Sequence, residues 1–128
     1  MTANRILQVN AVSTLACAVG LLATRAWLPA HFGLASSGWL DVVAIGLLAY
    51  AWALFAAAAR VHVDRTTLLA FTAGDVLWVM ASAVVLLLGW SSLSPLARVL
   101  VIAAALAVEV FATLQWRAAG QAAQPVTA

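Results

Sequence analysis

The sequence predicts an all-α membrane protein, an antiparallel four-helix transmembrane bundle, and three observations carry that prediction. Composition is the first: 66% of residues are hydrophobic, 8% are charged, and the mean hydropathy is +1.09. Soluble domains carry about 25% charged residues, and a chain this apolar would expose large patches to water. The second is length. Four apolar runs account for nearly all 128 residues, and about 20 helical residues, at about 1.5 Å each, cross a hydrocarbon layer roughly 30 Å thick. The third is the placement of Trp27, Trp39, Trp90 and Trp116 at the ends of the runs, where interfacial aromatics belong. A soluble bundle of buried helices does not call for four runs of that length.

The net charge of +2 and the pI of about 9.5 come from six arginines with no lysine. These are loop charges that set orientation, and no nucleic-acid partner is expected. Cys17 is the only cysteine and lies inside the first run, so an intrachain disulfide and a CxxC metal or redox site are excluded. We read residues 1–118 as one transmembrane domain, with spans at about 6–27, 39–59, 66–89 and 95–117, followed by a short polar tail at 119–128.

The first span could be mistaken for a targeting segment, because MTANR precedes an apolar run and Thr14-Leu15-Ala16-Cys17 is loosely like a lipoprotein cleavage box. Gln8 and Asn10 interrupt the apolar core, and the box lacks its leucine, so a retained helix is the expectation. Asn10, Ser13, Thr14, Cys17, Gly20 and Thr24 recur in steps of three and four, which places a small, polar face toward other helices.

Pro29 to Gly38 reads as a loop, since one proline, two glycines and two serines make it a poor helix. Arg25 and Asp41 flank it and are positioned to pair. The second span is the most apolar. Its Ala49, Ala53 and Ala57 stand four apart as a packing row, and Tyr50 is the one polar side chain near its middle. Arg60 to Arg65, RVHVDR, is a tight charged turn.

The third span, Thr66 to Gly89, organises the chain, because its only charge, Asp75, stands near the middle. Thr72, Asp75 and Ser82 share a face, with Trp78 close by. The WSSLSP turn follows, in which Ser94 can cap the fourth helix and Pro95 suits its first turn. The fourth span carries Glu109.

If the N-terminus is cytoplasmic, Arg5, Arg60, Arg65 and Arg117 lie inside, and Arg25 and Arg98 outside. That bias favours a plasma-membrane protein of the bacterial inner-membrane type with both termini in the cytoplasm. Counting from Thr66 puts Asp75 roughly 13 Å deep, and counting back from Arg117 puts Glu109 roughly 12 Å deep. Asn10 and Tyr50 fall at overlapping depths. We therefore expect Asp75, Glu109, Asn10 and Tyr50 to form one inner-half polar layer, with Asp75 facing Glu109. Such a layer is either a proton or ligand site or a neutral cluster that fixes helix register. Trp52 and Trp78 are candidate pocket aromatics beside Tyr50. His31 and His62 fall in loops on opposite faces, so they cannot share a metal or haem within one chain. No metal or cofactor is expected.

Two function classes follow. One is a proton-linked transporter or small-ligand-binding membrane protein built on the acidic layer. The other is a structural or accessory subunit that packs in a homo-oligomer or a larger membrane complex, and a homodimer suits either. No GxGxxG, P-loop, HExxH or GxSxG motif occurs, and the loops are too short to hold a soluble active site. An integral-membrane enzyme is the weakest class, since no histidine or cysteine is expected near the acids. The sequence does not name a substrate.

Val9-Asn10-Ala11-Val12-Ser13 and Gly74-Asp75-Val76-Leu77-Trp78 resemble segments of small bacterial four-span integral membrane proteins of uncharacterised function. The likeness covers the whole length and implies no activity. The chain is also similar to the small multidrug-resistance exporters in size, span count and possession of membrane carboxylates. Their essential glutamate is in the first helix, where this sequence has Asn10.

Overall fold

The computed structural model describes residues 1–122, which form five helices and no strand. Four of these helices are long and apolar enough to cross a membrane. They are α1 (Ala3–Ala23), α3 (Gly38–Ala58), α4 (Arg65–Gly89) and α5 (Pro95–Ala122), with the short α2 (Leu28–His31) between the first two. The outer surface is apolar; Leu87 and Leu88, for example, are 81% and 83% exposed. Such a surface is unfavourable against water and natural against lipid, as in a multi-pass membrane protein.

Capping explains most of the boundaries. Thr2 starts α1 by accepting the Arg5 backbone N–H at 3.3 Å. The helix stops at Ala23, short of the expected Trp27, and at the Thr24 C-cap the backbone N–H and the hydroxyl both bond to the Gly20 carbonyl, the hydroxyl at 2.7 Å. The expected loop then contains α2, with Pro29 in its first turn. Gly33 has φ of 70°, and a Cβ there would lie 3.0 Å from the Ser92 carbonyl oxygen, so both conformation and space require glycine. That close approach ties the α2 segment to the turn before α5. The Ser94 backbone N–H donates to the His31 carbonyl at 2.8 Å, and His31 Nδ1 lies 2.8 Å from Ser94 Oγ. Ser94 also caps α5 by accepting the Ala97 N–H at 3.2 Å, and Pro95 opens that helix as expected.

The Arg25 guanidinium grips Asp41 with two hydrogen bonds, of 3.2 and 2.7 Å, and Ser37 donates to the same carboxylate. At the opposite end of the bundle, Asn4 donates to the carbonyls of Ala58 (3.0 Å) and Arg60 (2.7 Å), satisfying acceptors that the end of α3 leaves free. Asp64 caps α4 through the Thr67 N–H at 3.0 Å.

Helix α1 packs along α3, α4 packs along α5, and α1 also meets α5. Leu7, Ala11, Leu54, Ala57, Val63, Leu68 and Ala119 form an apolar core at the end that carries the N-terminus. Two expected faces are rotated. On α3, only Ala57 of the alanine row is buried, while Ala49 and Ala53 are exposed; the inward row is Leu40, Ala44, Ala51 and Leu54. On α1, Asn10, Ala11 and Ala18 are buried, but Ser13 and Gly20 are exposed. The inward faces still carry small residues, but different ones: Ala11 and Ala18 on α1, and Ala44 and Ala51 between Leu40 and Leu54 on α3. Helix α5 continues past the expected Arg117 to Ala122, so residues 119–122 of the expected tail are helical. The rest of that tail lies outside the described residues.

Candidate functional site

Asp75 is 3% exposed and receives hydrogen bonds from three other helices. Asn10 Nδ2 on α1 and Gln115 Nε2 on α5 both donate to its Oδ2, at 3.0 and 2.8 Å. The Tyr50 hydroxyl on α3 donates to its Oδ1 at 2.8 Å. Every spanning helix thus contributes one polar side chain to a single layer. The amides also hold each other: Asn10 Nδ2 donates its second hydrogen to Gln115 Oε1 at 2.9 Å, and Asn10 Oδ1 accepts the Thr14 hydroxyl at 3.2 Å. All three donors to Asp75 are neutral, and the one salt bridge among the described residues is Arg25–Asp41. No internal cation offsets the cost of a carboxylate at this depth.

The sequence positions Tyr50 through Gly74. A Cβ at that glycine would lie 3.0 Å from the Tyr50 hydroxyl oxygen and 3.2 Å from Cε2. Any larger residue would push the ring away from Asp75. Phe71 supports the ring from the side, with centroids 5.6 Å apart and planes at 74°, the edge-to-face arrangement that aromatic pairs favour.

Asp75, Asn10 and Tyr50 meet as the depth count predicts, but Glu109 does not join them. Glu109 is exposed and its side chain has no hydrogen bond to the layer; Gln115 occupies the place expected for it. The reason is the end of α5. Because the helix runs on to Ala122, counting depth back from Arg117 slides the scale. Glu109 sits six residues before Gln115, which is about 9 Å along the axis and roughly 240° around it. Trp52 is also removed from the site, being 77% exposed on the outer surface near Phe55 and Ala56. Gln115 is not among the residues the sequence singles out, since it lies two positions before Arg117, where the span is expected to end. Its signal was the Ala112, Gln115, Ala119 spacing, a small and polar row at helical period. Thr14 was read only as part of a polar face.

A cavity of about 390 Å³ adjoins the acid, lined by Thr14, Cys17, Tyr50, Asp75 and Trp78 together with small and apolar side chains of α3 and α5. Its lining runs from Asn10 to Cys17 on α1 and from Tyr50 back to Val43 on α3. It therefore extends from the Asp75 layer toward the α2 end, while the apolar core closes the opposite side. Trp78 stands in the wall, and its buried indole N–H has no partner among the described residues. Cys17 lines the same cavity, seven residues along α1 from Asn10. Of the histidines, His31 is held by Ser94 and His62 is exposed. Among the described residues, no three His, Cys, Asp or Glu side chains come together.

Comparison with family models, with curated proteins and with solved structures finds no match.

Proposed function

We propose that the protein is a small-ligand-binding membrane protein of the proton-linked transport type, in which Asp75 gains or loses a proton as a ligand enters or leaves the cavity. One observation carries this reading: a buried carboxyl without a counter-cation borders a cavity large enough for a small molecule. Intramembrane acids in that setting mark proton and substrate paths. The apolar walls favour a compact ligand with a hydrophobic body. The arginine bias supports an orientation with both termini in the cytoplasm, and in that orientation the cavity reaches toward the outer side.

The test is flux in vesicles of purified protein under an imposed pH gradient, with a panel of small amphiphiles of each charge. Ligand-dependent proton movement should occur in the wild type and be lost in Asp75→Asn. Cysteines placed at Ser36 and Gln121 in a Cys17→Ala background report the orientation of each preparation by reacting from opposite sides. Equal flux in wild type and Asp75→Asn, or no flux with any ligand, would sink the reading.

Glu109 favours a second reading, that of an accessory subunit in a homo-oligomer or larger complex. It is an exposed carboxyl in the middle of α5, where neighbouring protein would shelter it and lipid would not. A partner that co-purifies in fixed ratio, without proton-linked flux, would favour this second role.

A further inference from the structure

The Tyr50 hydroxyl has one hydrogen and two acceptors. Its oxygen lies 2.8 Å from Asp75 Oδ1 and 3.0 Å from the Phe71 carbonyl oxygen, and one hydrogen cannot serve both. Phe71 is four residues before Asp75 in α4, so its carbonyl accepts the helical N–H whichever way the hydroxyl points. On the other carboxyl oxygen, Oδ2, two amide N–H groups already converge, from Asn10 and Gln115. Turning over the Asn10 amide would set its oxygen against the oxygens of both Asp75 and Gln115. Oδ2 is thus held as an acceptor, and a proton on Asp75 belongs on Oδ1, the oxygen facing Tyr50.

We propose that Tyr50 is a hydroxyl rotor that lets Asp75 take up and release a proton at Oδ1 with no movement of the helices. With Asp75 ionised, the Tyr50 hydrogen points to Oδ1. When a proton from water or from a ligand in the cavity bonds to Oδ1, the new O–H donates to the Tyr50 oxygen, and the Tyr50 hydrogen turns to the Phe71 carbonyl. On release, the proton passes back to a base in the cavity and the electron pair stays on the carboxylate. The tyrosine hydrogen never leaves its oxygen. Both states therefore have every hydrogen bonded, and neither leaves a buried donor idle. Gly74 is the positioning residue, because its missing side chain admits the hydroxyl between the two acceptors.

The other groups facing Asp75 leave this balance alone. From α1 it is met by the neutral Asn10, with Thr14 behind it and the Cys17 thiol farther along the cavity; from α5 it is met by the neutral Gln115. Glu109 is turned outward, and no arginine bonds to Asp75.

The proposal rests on the reading above only in taking Asp75 as the group that changes protonation state. Tyr50 is the single tyrosine of the chain, so the phenol C–O vibration in infrared difference spectra belongs to it alone. The full chain in lipid nanodiscs is titrated with pH, and the Asp75 carboxyl band is identified by its loss in Asp75→Asn. The expected result is a shift of the phenol band with the same midpoint as the carboxyl band. In Asp75→Asn, the phenol band should stop responding at every pH below the ionisation of the phenol itself. Gly74→Ala should keep the carboxyl band and lose the phenol response; if that variant does not fold, the Asp75→Asn comparison decides alone. A phenol band that stays constant while Asp75 titrates overturns the proposal, and so does a carboxyl that never titrates while the bundle stays folded. Coupled bands in a protein without flux would reject transport and leave the rotor standing. Flux that depends on Asp75 without coupled bands would reject the rotor alone.

Discussion

Asp75 tolerates its position because three neutral side chains bond its carboxyl oxygens, and each of those side chains has other obligations. Asn10 serves both Asp75 and Gln115, and Gln115 bonds back to both. Removing one member therefore strands others. Gln115→Leu should destabilise the bundle by about 1–3 kcal/mol, the usual cost of leaving buried polar groups unpaired. Asp75→Leu should cost a similar amount and Asp75→Asn less, since asparagine keeps shape and hydrogen-bonding capacity. The double variant Asp75→Leu with Gln115→Leu should cost less than the sum of the two, because the same bonds are lost in both. Unfolding titrations in mixed micelles measure all four. Strict additivity would mean that the layer is not one network. At this scale the sequence told much: a lone acid in a span, an asparagine and a tyrosine at matching depth predict a meeting. It did not reveal the pairing partner on α5. A glutamate attracts more attention than a glutamine, yet direction around the helix decides which of them turns inward.

Helix ends are where the elements are set, and where counting from charged residues misled. Arg117 looks like an end because arginine belongs at an interface, but nothing in its neighbourhood stops a helix, and Ala118 and Ala119 continue it. Ser94 does act at a boundary, because its hydroxyl accepts a backbone N–H that the first turn of α5 leaves free. The start of α4 offers a test with a definite sign. Hydrogen bonds from the side chain and backbone N–H of Thr67 hold the Asp64 carboxyl below the usual carboxylate range. A depressed value means that this contribution is fully present above the unfolded carboxyl's pKa and is lost as pH falls through the folded one. Acidification should therefore lower amide protection factors in the first turn of α4, after the intrinsic slowing of exchange in acid is divided out. Asp64→Asn, which caps without ionising, should remove that acid dependence. Equal acid sensitivity in the two proteins would show that another group opens the turn.

At the scale of the whole molecule, the inside and the outside pose different problems. The inside joins two helical pairs, α1 with α3 and α4 with α5, through the Asp75 layer and the apolar core beside it. The number of spans and their order could be read from the lengths of the apolar runs, because the bilayer sets a minimum length. Rotation of each helix could not, since lipid and core are equally apolar and hydropathy has no inward direction. That ambiguity is why Ala49 and Ala53 were expected inside and are exposed. Glu109 is the residue on the outer surface that hydropathy does not explain. A carboxyl at mid-span costs several kcal/mol against lipid, whereas the same group between two copies of the chain can share a proton with its counterpart. If a second copy covers this face, Glu109→Leu removes the cost of the separated state and should weaken self-association by about tenfold, equivalent to about 1.4 kcal/mol. Glu109→Gln keeps the hydrogen-bonding groups and should associate nearly as the wild type does. Energy transfer between labelled copies, diluted stepwise in lipid vesicles, measures both. Identical association of the leucine variant and the wild type would place Glu109 outside any self-interface, and would leave its shelter to a different protein.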